Sequence, residues 1–527
     1  MNPSGYTTSV WMEVQPTRTY PTLDRNIDCD VCIIGAGIAG LTTAYMLAEQ
    51  GKNVIVIEKF PQIGQGETAR STAQLVVFTD FSYSQLKRMH GDNVLLIAES
   101  HRYAKETIAR IAQDEGIDCD YRKVPVYLFA PREEDHKKLD KEAEILSEIH
   151  VPAMRHDRLP MAGLPPYPCL EVPGMGQIHI LKYMYGLGEA IERRGVSIFT
   201  NTKAIEIDEQ KEQVEIKTEH GHTIRCQYLV TATNSPVSVL TGVHLKQAAW
   251  RTYVVGLKVE KGALPYAIWW DTLEPYHYVR LVEFPEYDVL IAGGEDHHTG
   301  RDEQGGPDAM SQDKGESDSR FDALEAWARS IFPQCGETLY RWSGQVMESI
   351  DGIGYNGRHL GDDRVFVITG DTGSGTTNAT LGARLVTDLI MGQESPWEKL
   401  YSPARLNLRA ADELAKEGAA AFWQFTDYVT PGDVDDAASI ANGSGALIRE
   451  GMKKVAVYKD EHGAVHRMSP VCPHVGCIVQ WNGVEKSWDC PCHGSRFDCY
   501  GKVLNGPAKS DLSHMEAENQ ADKKPVF

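Results

Sequence analysis

Apolar positions along the chain follow three kinds of pattern. From Asp30, the apolar run Val31-Cys32-Ile33-Ile34 stops at Gly35, and apolar residues then recur at helical spacing through Leu41, Tyr45, Leu47 and Ala48. A second run, Asn53-Val54-Ile55-Val56-Ile57, follows. Short runs split by a glycine turn and an amphipathic stretch predict strand, turn, helix, strand. Around residues 80–180 the spacing is mostly helical, with charged amphipathic stretches at Leu95–Ile111 and Glu133–Ile149 whose polar faces read as solvent surface. Around 245–300 it becomes a strand pattern, visible in Tyr253–Val259 and Asp288–Asp296, predicting a sheet. Beyond Pro396, a helical Arg405–Lys416 and the turn residues Thr430-Pro431-Gly432-Asp433 read as a connector.

A chain of 527 residues exceeds one ordinary core and is expected to divide into two or three domains. Its net charge of −21, spread along the chain, makes nucleic acid and anionic membrane poor partners and leaves a cationic substrate or a basic partner compatible. No apolar run reaches membrane-spanning length, and Met1-Asn2-Pro3-Ser4-Gly5 lacks a basic region and an apolar segment, so the expectation is a soluble cytoplasmic protein with no membrane span. Of 11 cysteines, five fall between Cys472 and Cys499. Cys29, Cys32, Cys119, Cys169, Cys226 and Cys335 lie among apolar neighbours and read as buried free thiols.

The glycine turn carries chemistry. In Gly35-Ala36-Gly37-Ile38-Ala39-Gly40, Gly35 permits the tight turn, Gly37 lets backbone approach a pyrophosphate at the helix N-terminus, and Gly40 allows close packing of helix on strand. Glu58, ending the second strand, is placed to bind ribose hydroxyls. The polar, glycine-rich Gly64–Leu75 segment then resembles the D-amino-acid-oxidase-like (DAO) family of FAD enzymes, which includes glycine and sarcosine oxidases and dehydrogenases. The likeness continues in Tyr228–Asn234, Trp342–Gln345, Ser349–Gly352, Arg364–Asp371 and Gly373–Thr377, the last opening a helix through Leu381–Leu385. The resemblance implies FAD, and because no His or Cys matches the family's covalent flavin attachments, the FAD is expected to be noncovalent. It places contacts at Gly35, Ala36, Gly37, Ile38, Ala39, Gly40, Glu58, Lys59, Arg70, Ser71, Thr72, Ala73, Gln74 and Leu75. Further contacts are implied at Ala232, Thr233, Asn234, Gly344, Asp351, Gly370, Asp371, Gly373, Gly375, Thr376 and Thr377. Gly370, Gly373 and Gly375 lack dinucleotide spacing, so no second Rossmann unit for NAD(P)H is expected.

Near the C-terminus, Cys472-Pro473-His474-Val475-Gly476-Cys477 and Cys490-Pro491-Cys492-His493-Gly494-Ser495 read as a Rieske [2Fe-2S] site. Two thiolates hold one iron and two imidazoles the other, a set that Cys472, His474, Cys490 and His493 supply. The spare pair, Cys477 and Cys492, could form a disulfide clamping the two loops. Tetrahedral zinc is the rival reading, but its ligands usually recur as C-x-x-C and H-x-x-x-H pairs, whereas each loop here gives one Cys and one His. Lys454–Ala508 resembles the cytochrome bc type of Rieske domain. The chain thus reads as α/β (α+β overall): an N-terminal extension at 1–29 and an FAD-binding Rossmann-type domain at 30–395 with a mixed-sheet substrate domain inserted at about 80–180 and 245–300. A helical connector at 396–432 leads to a small all-β C-terminal Rieske domain at 433–527.

Substrate-contact candidates are Arg251, Tyr253, Tyr276, Tyr278 and Arg280, because relatives grip a carboxylate with Arg and Tyr from such strands. Tyr276, Tyr278 and Arg280 share a face by the two-residue period. A structural role for about half of them is the competing reading. His179 partly matches a family His-Pro, with Ile180 replacing the Pro. No catalytic base is assigned, since positioning and desolvation do most of the work in such flavin chemistry. Flavin takes two electrons and the cluster passes one, so the fusion reads as an FAD-dependent dehydrogenase of an amine or amino acid, passing electrons through the cluster to an external ferredoxin, cytochrome or quinone. The alternatives are a reductive or oxygen-activating flavoenzyme fed by a ferredoxin-like donor, and a redox sensor. No His-His-carboxylate iron site for a Rieske oxygenase stands out.

One departure from the cytochrome bc pattern generates a prediction. The Tyr that follows His-Gly-Ser and donates to a ligand sulfur is here Phe497, and hydrogen bonds to sulfur stabilise the reduced cluster. A redox titration is expected to place the cluster below respiratory Rieske proteins; a potential at or above theirs would refute the argument.

Overall fold

The computed structural model describes residues 5–161, 163–236, 242–301, 316–410, 427–428 and 430–515. The strand–turn–helix pattern folds as its spacing predicts. Strand Ile27–Ile34 lies between Thr223–Thr231 and Val54–Ile57 in an eight-stranded sheet, all three parallel. Val365–Thr369 extends the parallel set on one side and Ser197–Phe199 on the other. Helix Ile38–Glu49 buries Leu41, Ala44, Tyr45 and Leu47 and packs against helix Gly375–Ile390. The turn explains its glycines: Gly35 has φ of 107°, and a Cβ on Gly40 would fall 1.9 Å from the Gly35 carbonyl oxygen. Only a bare α-carbon lets the helix start directly against the turn.

The substrate sheet has nine strands and draws on more of the chain than its alternation advertises. Thr338–Ser349, Gln247–Glu260, Tyr287–His298, His277–Glu283 and Ile268–Asp271 follow one another across it. Arg122–Phe129, Cys169–Gln177 and Gln74–Leu75 complete the row, with Met154–His156 on Cys169–Gln177. Helices Tyr83–His90, Val94–Asp114 and His136–Glu148 occupy the expected helical region. That region is nevertheless not mainly helical throughout. Arg122–Phe129 and Cys169–Gln177 are strands because they pair with each other and with Ile268–Asp271, and that long-range pairing overrides their local pattern.

In the described part of the connector, the expected helix from Arg405 gives only a 3-10 turn at Leu408–Ala410. After the short helix Glu398–Tyr401, Arg405 lies outside any helix because its guanidinium is drawn to Asp351, 2.6 Å away, and to the Ile353 and Gly354 carbonyls. Residues 411–416 of the expected helix lie outside the described residues. Beyond the connector, a three-stranded sheet, Ser444–Glu450, Lys453–Lys459 and Val465–Met468, precedes a four-stranded sheet of Gln480–Asn482, Ser487–Asp489, Arg496–Asp498 and Val503–Asn505. Among the described residues no helix is long and apolar enough to cross a membrane.

This C-terminal domain is docked by a buried charge cluster. Glu485, fully buried, meets Arg70 Nη1 at 2.9 Å and Arg251 Nη2 at 3.2 Å, and accepts hydrogen bonds from Ser343 Oγ and from the Thr7 backbone N–H. Burial alone would raise its carboxyl, but the charges of Arg70, Arg251 and Arg496 outweigh burial and hold it well below the usual carboxylate range. Lys59 Nζ donates to Leu504 O, Asn505 Nδ2 to Glu67 at 2.9 Å, and Arg301 Nε to Pro491 O at 3.1 Å across the same junction.

Two predictions follow from this packing. Gly40→Ala drives a methyl group into the Gly35 carbonyl and is expected to cost about 1–3 kcal/mol in denaturant unfolding. Glu485→Ala leaves buried guanidinium groups without their counter-charge, and is expected to cost about 3–5 kcal/mol and to make the C-terminal domain the first region cut in limited proteolysis.

Candidate functional site

A single long cleft runs from the dinucleotide turn to the substrate sheet. Of the residues expected to hold FAD, Gly35, Gly37, Ile38, Ala39, Glu58, Lys59, Arg70, Ser71, Thr72, Ala73, Gln74, Ala232, Thr233 and Asn234 line it. Gly344, Asp371, Gly373, Gly375 and Thr376 line it from the other domain segments. Glu58 sits at the strand end with its two oxygens accepting the Ala36 and Phe60 N–H groups, at 2.8 and 3.0 Å. The helices Ile38–Glu49 and Gly375–Ile390 both start at the cleft, bringing the positive ends of their dipoles to it. Small residues, two helix N-termini and an acid at the end of the second strand fit a dinucleotide.

Six expected contacts do not line the cleft, each for a visible reason. Ala36 is buried behind its bond to Glu58, and Gly40 packs beneath the turn. Leu75 is a core residue, and Gly370, at φ of 70°, turns beside Tyr355. Thr377 Oγ1 meets His101 Nδ1 at 3.1 Å, and Asp351 is paired with Arg405. Sequence reading missed Glu67, Thr68, Lys203, Gln345 and Asn378, which also line the cleft. The Thr68 hydroxyl accepts the Ile38 N–H at 3.2 Å, a hydroxyl at a helix start that no local motif marks.

The far end of the cleft is a chamber against the substrate sheet, walled by Trp270, Tyr276, Tyr278, Thr252, Asp80 and Asp296. Tyr276 OH donates to Asp80 Oδ1 at 2.7 Å, Tyr278 OH meets Thr252 Oγ1 at 3.0 Å, and Trp270 Nε1 donates to Gln74 at 2.9 Å. Burial pushes the Asp80 carboxyl up to about 6, against the pull of the Tyr276 hydroxyl. Burial, with the Asp80 charge beside it, pushes Asp296 up to about 7.

Of the five substrate-contact candidates, Tyr276 and Tyr278 reach this chamber and three residues do not. Arg251 is held by Ser343 and Glu485, at 2.6 and 3.2 Å. Tyr253 packs on the opposite face of the sheet against Phe321 and His297. Arg280 Nη1 donates to the carbonyls of Thr72, Ala73 and Ile178 at 2.9, 2.8 and 3.0 Å. Ala73 has φ of 54°, a strained conformation for a residue with a Cβ, so Arg280 pins the backbone bordering the cleft. His179 caps helix Ile180–Arg193, its ring accepting the Lys182 N–H.

The second site lies in the C-terminal domain. The Cys472 N–H donates to Cys477 O and the Cys490 N–H to Ser495 O, both at 2.8 Å, closing two loops. A disulfide joins Cys477 to Cys492 across them. Cys472 and Cys490 are buried with their thiols within hydrogen-bonding reach of each other, and the His474 and His493 rings face one another at 5.0 Å and 89°. His493 Nδ1 is buried and makes no hydrogen bond among the described residues, as a nitrogen reserved for iron must be. Two thiols and two imidazoles on paired loops fit the mixed ligation of a Rieske cluster. Phe497 is fully buried beside the site, while Ser495 Oγ accepts the Ala508 N–H at 3.0 Å.

The two sites share a wall. Gln345 lines the cleft and its Nε2 donates to Gly494 O, one residue from His493, at 3.0 Å. Val503, Leu504, Asn505, Gly506, Ala508 and Lys509 of the C-terminal domain also line the cleft. The His244 ring lies 5.3 Å from His474 and 6.2 Å from His493, so the histidine edge of the cluster site faces the first domain.

Known proteins match this arrangement part by part. Residues 30–389 match DAO, FAD dependent oxidoreductase, and residues 431–516 the Rieske [2Fe-2S] domain. The Bacillus subtilis protein YhfW, named for a Rieske 2Fe-2S iron-sulfur protein, is 28% identical over 513 residues, covering 96% of this chain and 97% of its own. Gamma-glutamylputrescine oxidoreductase of Escherichia coli is 25% identical over 395 residues, covering 71% of this chain and 86% of its own. Glycine oxidase from Geobacillus kaustophilus shares the fold at a TM-score of 0.59 and 20% identity, over 72% of this chain and 99% of that one. With the glycine turn, the nine-stranded sheet and most of the cleft lining inside the matched segment, the chain belongs to the DAO family of FAD dependent oxidoreductases and carries a Rieske [2Fe-2S] domain after it in sequence.

Proposed function

We propose that the protein oxidises the C–N bond of an amine or amino acid and passes the electrons from FAD through its Rieske cluster to an external acceptor. FAD held along the Gly35–Gly40 turn and Glu58 would supply hydride acceptance from the carbon beside nitrogen, and a cluster held by Cys472, His474, Cys490 and His493 would supply one-electron transfer. The observation that carries this reading is the shared wall: Gln345 borders the flavin cleft and holds the loop of cluster ligand His493. A continuous covalent and hydrogen-bonded route of a few residues joins the two sites, and fusion keeps them at high effective concentration.

The chain's own residues position and desolvate. Arg280 fixes the strained Thr72–Ala73 backbone, and Tyr276, Tyr278 and Trp270 close the chamber over the reacting carbon. The Gly375–Ile390 helix N-terminus offers its dipole where negative charge builds up. Imidazole ligation raises a cluster well above all-Cys types, which supports flow from flavin to cluster. Exposed Val471 and Val475, on the loop of Cys472 and His474, leave apolar surface beside the cluster for an external carrier.

Anaerobic addition of amines and amino acids to the holoprotein is expected to bleach the flavin absorbance and raise a Rieske electron paramagnetic resonance signal. If only NADH or a reduced ferredoxin fills the cluster, electrons run the other way and the proposal fails.

A further inference from the structure

The substrate chamber is acidic and has lost the cations expected to greet a carboxylate. Arg251 is committed to Glu485 and Arg280 to three backbone carbonyls. What faces the chamber instead is Asp80 and Asp296, close enough for the charge of one to act on the other, with Asp371 beside Asp80 at the helix start. A cation whose charge reaches Asp296 is already engaged: His277 sits between Asp271 Oδ2 at 2.8 Å and Glu295 Oε1 at 3.2 Å. Arg320, on the same side, donates to the Glu295 carbonyl at 3.3 Å.

A second observation points to a ligand. Asp296 Oδ1 is shut away from solvent and has no hydrogen-bond partner among the described residues, although Asp296 lines the cavity. An unanswered carboxylate oxygen in a closed space is costly unless a cation arrives to meet it. The walls suit one. Trp270, Tyr276 and Tyr278 offer aromatic faces and edges around the two carboxylates, the setting in which ammonium groups are held by ring quadrupoles as well as by charge.

Resting on the amine-or-amino-acid reading above, we propose that the chamber selects an aliphatic substrate that carries a second ammonium group and no carboxylate, with Asp296 and Asp80 gripping that ammonium between Trp270, Tyr276 and Tyr278. The reacting nitrogen must be neutral to supply its lone pair as the hydride leaves, so the nitrogen that the carboxylates hold is a different one. A substrate carboxylate in the same place would meet two acids and, among the described chamber-lining residues, no cation, a like-charge contact that excludes amino acids by repulsion.

The test is a length-matched series on the full-length holoprotein: 1,5-diaminopentane, pentylamine and 5-aminopentanoate, with glycine as a small amino acid. Binding is read as the ligand-induced rise in melting temperature, separately from the rate of flavin bleaching. The diamine is expected to bind at least about tenfold tighter than pentylamine and to leave 5-aminopentanoate and glycine without measurable effect. Asp296→Asn and Asp80→Asn are each expected to erase most of the diamine's advantage. Removing one of two mutually repelling buried acids is expected to leave the unliganded melting temperature at pH 8 unchanged or higher, so lost binding is separable from lost folding. The wild-type series decides even if a variant does not fold. Tighter binding of 5-aminopentanoate or glycine, or no preference for the diamine over pentylamine, overturns the inference while leaving C–N oxidation standing. If the diamine binds as expected but no compound bleaches the flavin, the oxidative reading fails and the chamber's selectivity survives.

Discussion

The relation between the two cofactor sites depends on one buried carboxylate. Glu485 belongs to the C-terminal domain, yet two of the guanidinium groups that balance it come from elsewhere: Arg70 beside the flavin cleft and Arg251 in the substrate sheet. Arg496, from its own domain, adds a third positive charge, itself bonded to Asp489 at 3.1 Å. A salt bridge removed from water is a weak source of net stability, because desolvation offsets the attraction. Its strength is geometric. None of these groups can leave without stranding another, so the cluster loops are held against the flavin domain in one register.

This arrangement accounts for why arginines that looked functional are structural. Arg251 and Arg280 lie on strands that border the substrate chamber, which is where a residue gripping a carboxylate belongs. Each has a stronger local claim. Arg251 answers Glu485, a partner more than two hundred residues away in sequence, and Arg280 braces a backbone turn strained at Ala73. Strand periodicity says which face a side chain takes but not what waits beyond it. Tyr276 and Tyr278, with shorter reach and hydroxyls easily satisfied by Asp80 and Thr252, stay in the chamber.

Legibility in the sequence follows the range of the interactions. The dinucleotide turn and both cluster loops are local, with every essential residue inside a short window, and their motifs read directly. The strands Arg122–Phe129 and Cys169–Gln177 were hidden because their partners lie far along the chain, and Pro125 and Gly174 blur the alternation. Arg405 looked like the start of a helix because nothing nearby announces Asp351. In the chamber, the tyrosines were visible on a strand, but Asp80 and Asp296 were not, since they converge from separate segments only after the sheet has formed.

The Rieske residues that line the flavin cleft carry a consequence for how the molecule is built. Leu504 receives the Lys59 ammonium and Asn505 reaches Glu67, so the C-terminal domain forms part of the binding wall at the dinucleotide end rather than standing behind it. A ribosome delivers that wall last. Without it the first domain's cleft lacks that stretch of its wall, so the dinucleotide site is complete only with the tail docked.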